Sequence, residues 1–169
     1  MPISVDFWQL VTTLGDFKIW LGIIFVILLT FAISRNLYKK HKATWLVFIL
    51  ITSIIISAGV SEVVKIVTHV PRPCVGNADC PSGFSFPSRH AVTLFTFATT
   101  VFLYVKNLRL RLGSLTLAVL VSISRVALNY HTSFDIIAGA IIGIVTTYLA
   151  NIIYKRYILN LKAFKTIVS

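Results

Sequence analysis

Apolar residues in this chain fall into five blocks that short polar segments separate. The blocks cover residues 19–34, 43–64, 91–105, 112–124 and 136–154. A helix needs about 20 residues to cross a bilayer; the second and fifth blocks reach that range alone, and the others need flanking residues. Polarity does not alternate within a block, which argues against a membrane β-barrel. The pattern predicts an all-α integral membrane helical bundle with about five transmembrane helices.

The N-terminal residues 1–17 are too few to span a bilayer. Phe7, Leu10, Val11 and Leu14 recur at helical spacing, so we expect a short amphipathic helix at the outer membrane surface. Positive charges follow the first apolar block rather than precede it, so a cleaved signal peptide is not expected. We expect one domain over 1–169, with an interfacial segment at 1–17 and a motif-bearing core at 43–154.

Charge then predicts the orientation. Only 12% of the 169 residues are charged, against about a quarter in soluble domains. One side of the predicted bundle has eleven basic residues and no acidic one: Arg35, Lys39, Lys40, Lys42, Lys106, Arg109, Arg111, Lys155, Arg156, Lys162 and Lys165. The positive-inside rule therefore puts the C-terminus in the cytoplasm and the N-terminus outside. The net charge of +11 reflects topology, and no nucleic-acid partner is expected.

The longest polar segment, 71–87, falls on the outer side and contains both cysteines, Cys74 and Cys80. Disulfides persist outside the cytosol, so a disulfide is the favoured reading, with two free thiols as the alternative. Two sulfurs alone make an incomplete metal site. Residues 81–84 imitate a phosphatase motif without its histidine, and we take them as a decoy.

Three polar clusters at the ends of apolar blocks are predicted to meet at the outer face. They are Lys65 with Arg72-Pro73, Pro87-Ser88-Arg89-His90, and Ser124-Arg125 with His131 and Asp135. Charges at such positions are costly and indicate function. Lysine and arginine match phosphate oxygens, Ser88 adds a hydroxyl, and a helix N-terminus favours anions. These residues predict an extracytoplasmic phosphate site.

Two histidines in these clusters supply reactivity. His131 and Asp135 are four positions apart, and on a helix they would share a face. The carboxylate would orient the imidazole, and neutral His131 would attack phosphorus. His90 would protonate the departing oxygen and later activate water. No step requires a metal or other cofactor.

These motifs resemble those of the type 2 phosphatidic acid phosphatases, which are related to bacterial acid phosphatases and vanadium haloperoxidases. The family pattern K-x6-R-P, P-S-G-H and S-R-x5-H-x3-D reads here Lys65-x6-Arg72-Pro73, Pro87-Ser88-Arg89-His90 and Ser124-Arg125-x5-His131-x3-Asp135. The resemblance covers about residues 43–154. It implies a metal-independent phosphohistidine mechanism and a lipid phosphate substrate held in the bilayer.

Two features depart from that family. Arg89 replaces the motif glycine; it either adds a cation suited to a diphosphate or points toward lipid headgroups. Membrane members usually have six helices, whereas five are predicted here.

An undecaprenyl-type polyprenyl diphosphate, cleaved to its monophosphate, is the first choice of substrate. Phosphatidylglycerol phosphate or phosphatidic acid is the alternative, and lipid A phosphate the third. Two rival functions remain: a haloperoxidase, and a non-catalytic transporter or scaffold on the same bundle.

Single residues of the motifs also have structural alternatives. Lys65 and Arg125 could snorkel to the interface, and Asp135 could cap a helix. Glu62 is expected to pair with Lys65, and Gly139 with Gly143 to pack helices.

Overall fold

The computed structural model describes residues 4–16 and 41–158, and this part of the chain is helical and contains no strand. Its helices are α1 (Val5–Thr13), α2 (His41–Thr68), α3 (Arg89–Tyr104), α4 (Leu108–Ala127) and α5 (Ser133–Ile153), and a π-helical turn (Tyr154–Ile158) follows α5. The all-helical prediction is therefore confirmed for the described residues. The first predicted span, 19–34, lies outside them.

Three described segments are long and apolar enough to cross a membrane: Val47–Thr68, Leu108–Ala127 and Ser133–Arg156. They correspond to the second, fourth and fifth predicted spans, and they make the chain an integral membrane protein. The third predicted span is the 16-residue helix α3, which is shorter than the others. The total of five spans remains a prediction.

Helix α3 is the centre of the bundle and packs against α2, α4 and α5. Small residues allow the close approach on the α5 side. A Cβ added to Gly139 would lie 2.8 Å from the Ser88 carbonyl oxygen, and one added to Gly143 would meet the Val92 carbonyl. The predicted packing role of these two glycines is confirmed. On the other side, Leu94 and Ala98 form a core with Ala118 and Val121 of α4.

Local signals in the sequence fix the ends of these helices. Helix α2 ends before His69, whose φ of 52° is left-handed, and before Pro71, which disfavours further helix. Asn107 caps α4 by accepting from the Arg109 and Leu110 amides. Thr132 and Asp135 form a reciprocal capping box at the start of α5. The C-terminal ends of α2 and α4 and the N-terminal ends of α3 and α5 meet beside the loop 71–87.

Candidate active site

A cavity of about 510 Å³ lies between these helix ends. Six of the predicted site residues line it: Lys65, Arg72, Arg89, His90, Arg125 and His131. The three clusters, distant in sequence, thus share one space. The other two predicted members, Ser88 and Asp135, are buried behind this lining.

His131 is held from both sides of its ring. Arg72 Nη1 lies 3.1 Å from Nε2, and because a guanidinium only donates, Nε2 is the acceptor there. Nδ1 then carries the proton, and it lies 3.4 Å from Asp135 Oδ2. This tautomer directs the Nε2 lone pair into the cavity.

The surroundings of His131 also keep the ring neutral. Burial lowers its pKa to about 2, and the nearby charges of Arg72, Arg125 and Lys65 add to the effect. Desolvation and positive neighbours both disfavour the imidazolium. A neutral imidazole is the form in which histidine acts as a nucleophile.

Asp135 is almost fully buried and is satisfied by three donors. Its Oδ2 accepts from the Thr132 amide at 2.8 Å and from the Ser85 hydroxyl, in addition to facing His131. Ser85 Oγ also lies 3.3 Å from His131 Nδ1. Hydrogen bonds to an ionised carboxylate are among the stronger ones in proteins, so this carboxylate is fixed in place.

His131 and Asp135 are neighbours, as predicted, but the prediction that they share one face of a helix is wrong. His131 precedes α5, which begins at Ser133, so the two residues do not lie on one helix. The turn after α4 brings His131 to its place, because the Tyr130 and His131 amides both bond to the Arg125 carbonyl. Asp135 reaches His131 from the first turn of α5.

Lys65 and Arg72 are buried cations tied to the loop 71–87. Lys65 Nζ donates to the Phe84 carbonyl at 3.0 Å and to the Ser85 carbonyl at 3.2 Å. Arg72 Nε donates to the Gly83 carbonyl at 3.1 Å, and burial lowers the pKa of Arg72. Neutral carbonyl partners leave both positive charges uncompensated, which suits an anion.

The loop that supplies those carbonyls includes residues 81–84, read from the sequence as a decoy. The structure gives this segment a positioning role through its backbone, whereas its side chains carry no motif chemistry. A disulfide joins Cys74 to Cys80 in the same loop, with Cα atoms 5.5 Å apart.

Five buried side-chain donors remain without a partner among the described residues, and two of them, Ser88 Oγ and Arg125 Nε, are predicted site residues. The Arg125 guanidinium also lies 4.6 Å from the centre of the Tyr130 ring. Unpaired buried donors carry a desolvation cost, and a bound anion would remove it. Both atoms belong to the predicted phosphate set.

Glu62 pairs with Arg89 rather than with Lys65, the partner expected from the sequence. Arg89 Nε lies 3.5 Å from Glu62 Oε1, and both side chains are about half exposed. The expected Glu62–Lys65 pair is not what the structure shows, because Lys65 turns to the loop carbonyls instead. Arg89 is thus the most exposed cation at the rim of the cavity.

Sequence reasoning missed Ser85, Thr12, Gly15 and Asp16. Gly15 and Asp16 line the cavity, and the Thr12 hydroxyl accepts from Arg125 Nη1 at 2.9 Å. Only Ser85 had a signal, as a small polar residue two positions before the 87–90 motif. Nothing in the helical spacing of α1 indicated contact with the site.

The fold and cavity define an integral membrane helical bundle whose cation-lined site holds two imidazoles. The profile of the PAP2 superfamily matches residues 42–158. The chain therefore belongs to the PAP2 superfamily, as its motifs predicted.

Relatives and solved structures agree with this assignment. Dolichyldiphosphatase 1 of Rhinolophus ferrumequinum is 27% identical over 76% of this chain and 60% of its own length. The Homo sapiens protein of that name is 33% identical over 52% of this chain, and the match spans 44% of that relative. This chain therefore spans about half of the curated relatives that it matches.

Two solved structures share the fold. The transmembrane PAP2-type phosphatidylglycerolphosphate phosphatase of Bacillus subtilis has a TM-score of 0.72, with 22% identity over 93% of this chain and 79% of that one. Aquifex aeolicus LpxE has a TM-score of 0.70, with 22% identity over 89% of this chain and 87% of that one.

Proposed function

We propose that this protein is a lipid phosphatase that hydrolyses a polyprenyl diphosphate to its monophosphate through a phosphohistidine at His131. One observation carries the proposal: four cations and two imidazoles from separate segments line one cavity in a membrane protein. Preorganised donors of this kind stabilise the charge that develops on a transferring phosphoryl group.

Substrate binding would use the unpaired donors Arg125 Nε and Ser88 Oγ first. Lys65 Nζ, which donates to two loop carbonyls, would contact a phosphoryl oxygen with its third N–H, and Arg72 would exchange its bond to His131 for one to phosphate. That exchange frees the Nε2 lone pair at the moment the phosphorus atom arrives.

The first chemical step would form the bond between Nε2 and phosphorus and break the bond from phosphorus to the leaving oxygen. His90 would deliver a proton to that oxygen. The His131 ring would become cationic in this step, and Asp135, which faces Nδ1, would stabilise the charge as in hydrolase triads.

The second step would return the enzyme to its starting state. A water molecule would attack phosphorus and give its proton to His90. The nitrogen–phosphorus bond would break, the electron pair would return to Nε2, and inorganic phosphate would leave. No metal ion takes part in either step.

Two observations support a diphosphate as the substrate. Arg89 adds a cation at the rim, beside the cations that would hold the transferred group. The matched relatives are named dolichyldiphosphatases, and a lipid-linked diphosphate is the corresponding class here. Phosphatidylglycerol phosphate is the second candidate, since a structural neighbour of that named activity shares the fold.

The membrane setting completes the proposal. The protein would span the bilayer about five times as a single domain, with its site at the extracytoplasmic leaflet. The polyprenyl tail would stay in lipid while the diphosphate enters the cavity. This placement rests on the distribution of the basic residues, and protease protection of tagged termini in sealed vesicles would test it.

Phosphate release from a substrate panel tests the function. Purified protein in detergent is given polyprenyl diphosphate, polyprenyl monophosphate, phosphatidylglycerol phosphate and phosphatidic acid, with and without EDTA. We expect the diphosphate to be cleaved best and EDTA to have no effect. His131→Ala should be inactive, whereas His69→Ala, which changes an exposed loop histidine outside the cavity, should match wild type. Activity lost on chelation would refute the metal-free mechanism.

A further inference from the structure

The helix α1 lies against the catalytic end of the bundle, although it precedes the region matched to the family. It packs on α4, and Val11 contacts the core formed by α3 and α4. Its other side is apolar and exposed: Phe7 is 46% and Leu10 68% accessible. Helix α1 therefore has one face on the bundle and one face suited to lipid, consistent with the expected interfacial position.

The inner face of α1 reaches Arg125. Thr12 Oγ1 accepts from Arg125 Nη1 at 2.9 Å, while Nε of the same guanidinium is buried and unpaired within the described residues. Tyr130 covers the guanidinium plane. The hydroxyl of Thr12 and the ring of Tyr130 thus fix the fork of Arg125 so that Nε remains available.

The turn after α1 reaches His90. Gly15 is buried, and an added Cβ would lie 2.7 Å from His90 Cδ2 and 2.6 Å from Val121 Cγ1. The main chain at Gly15 therefore rests directly on the imidazole ring and leaves no space for a side chain. Asp16, the next residue, lines the cavity itself.

We propose that residues 4–16 form a wall of the active site, in which Thr12 positions Arg125 and Gly15 positions His90. Thr12 and Gly15 are positioning residues, because they act through groups that would touch the phosphate. This proposal depends on the proposed function only where its test measures turnover. Removal of the wall would leave the guanidinium and the imidazole with more than one orientation, which weakens anion binding and proton delivery.

Thr12→Val tests the first contact with nearly unchanged shape. Thr13→Val is the matched control, since Thr13 is exposed and its hydroxyl donates to the Leu10 carbonyl of its own helix. We expect Thr12→Val to lower kcat/KM about tenfold, which is the loss expected for one hydrogen bond to a charged group. Thr13→Val should stay within about twofold of wild type. Thr12→Ser, which keeps the hydroxyl, should restore most of the activity.

Vanadate binding gives a readout that needs no turnover. A ligand that binds the folded state raises the melting temperature, and vanadate should raise it for wild type and Thr13→Val more than for Thr12→Val. Gly15→Ala should lower kcat more than Gly113→Ala, whose added Cβ meets nothing within 4 Å.

Equal turnover and equal vanadate stabilisation in Thr12→Val and Thr13→Val would refute the role proposed for residues 4–16. If the wild-type protein cleaves no lipid phosphate but the two variants still differ in vanadate stabilisation, the proposed function is wrong and the role of residues 4–16 stands. A folding defect would lower the melting temperature in the absence of vanadate. Thr12→Ser should show no such decrease.

Discussion

Replacement of Ser85 by alanine removes one of the donors that hold Asp135. The Ser85 hydroxyl bonds to Oδ2, and both residues are buried. A hydrogen bond to a charged group contributes about 1.5–3 kcal/mol, which corresponds to about 10- to 150-fold in rate. The Thr132 amide still donates to Oδ2 at 2.8 Å, so we expect the lower part of that range, a loss of about 10- to 30-fold.

The loss should appear in kcat, because in the proposed mechanism Asp135 stabilises the positive charge that His131 would gain during phosphoryl transfer. Phosphate release under saturating lipid diphosphate measures it, and KM should change less than about threefold. Ser82→Ala is the matched control: it lies in the same loop, is exposed, and uses its carbonyl rather than its hydroxyl toward Arg72.

Two results separate this explanation from loss of folding. Melting temperature and vanadate stabilisation of Ser85→Ala should remain close to wild type, since this substitution leaves the proposed phosphate donors intact. If Ser85→Ala and Ser82→Ala have the same kcat, Ser85 does not position the Asp135–His131 pair, and the role assigned to it here is wrong.

Three further predictions follow from the rim, the buried imidazole and the loop. Arg89→Gly, which restores the family residue, should lower kcat/KM about tenfold for a lipid diphosphate and less than threefold for a monophosphate; equal losses would contradict a role in substrate choice. Because the pKa of His131 is lowered to about 2 from 6.5, only the unfolded state takes up a proton between these values, so stability present at pH 7 is lost as pH falls below 6.5. The melting temperature should therefore drop between pH 7 and pH 5, and drop less in His131→Asn; equal drops would mean that the imidazole is not held neutral. Reduction of the Cys74–Cys80 disulfide should destabilise the loop by about 2 kcal/mol, because the open loop has more conformational entropy. The melting temperature should fall, and the double variant Cys74→Ser/Cys80→Ser should show the same decrease without reductant. An unchanged melting temperature would show that the carbonyl contacts alone hold the loop.

The sequence was sufficient for the helical architecture and for the grouping of the motif residues. Long apolar blocks leave a chain few alternatives to membrane helices, and the polar ends of such helices at one level of the bilayer must lie near one another. The sequence alone therefore predicts one site for Lys65, His90 and His131.

Contacts that depend on loop conformation could not be predicted in this way. Ser85 reaches Asp135 only because the loop 71–87 folds back over α2. For the same reason Lys65 donates to loop carbonyls rather than pairing with Glu62. The approach of α1 to Arg125 depends on side-by-side packing of two helices whose contacting residues, Thr12 and Arg125, are 113 positions apart in sequence. Hydrophobic periodicity shows which face of a helix is apolar and does not identify its neighbour.

Trapping of the phosphoenzyme tests the role of His131 most directly. The protein is mixed with lipid diphosphate carrying ³²P in the terminal group, quenched in alkali within one turnover, digested and sequenced by mass spectrometry. We predict an alkali-stable, acid-labile label on the peptide that contains His131, and no label in His131→Ala. Full turnover with the label absent from His131, or sustained phosphate release by His131→Ala, would contradict the mechanism.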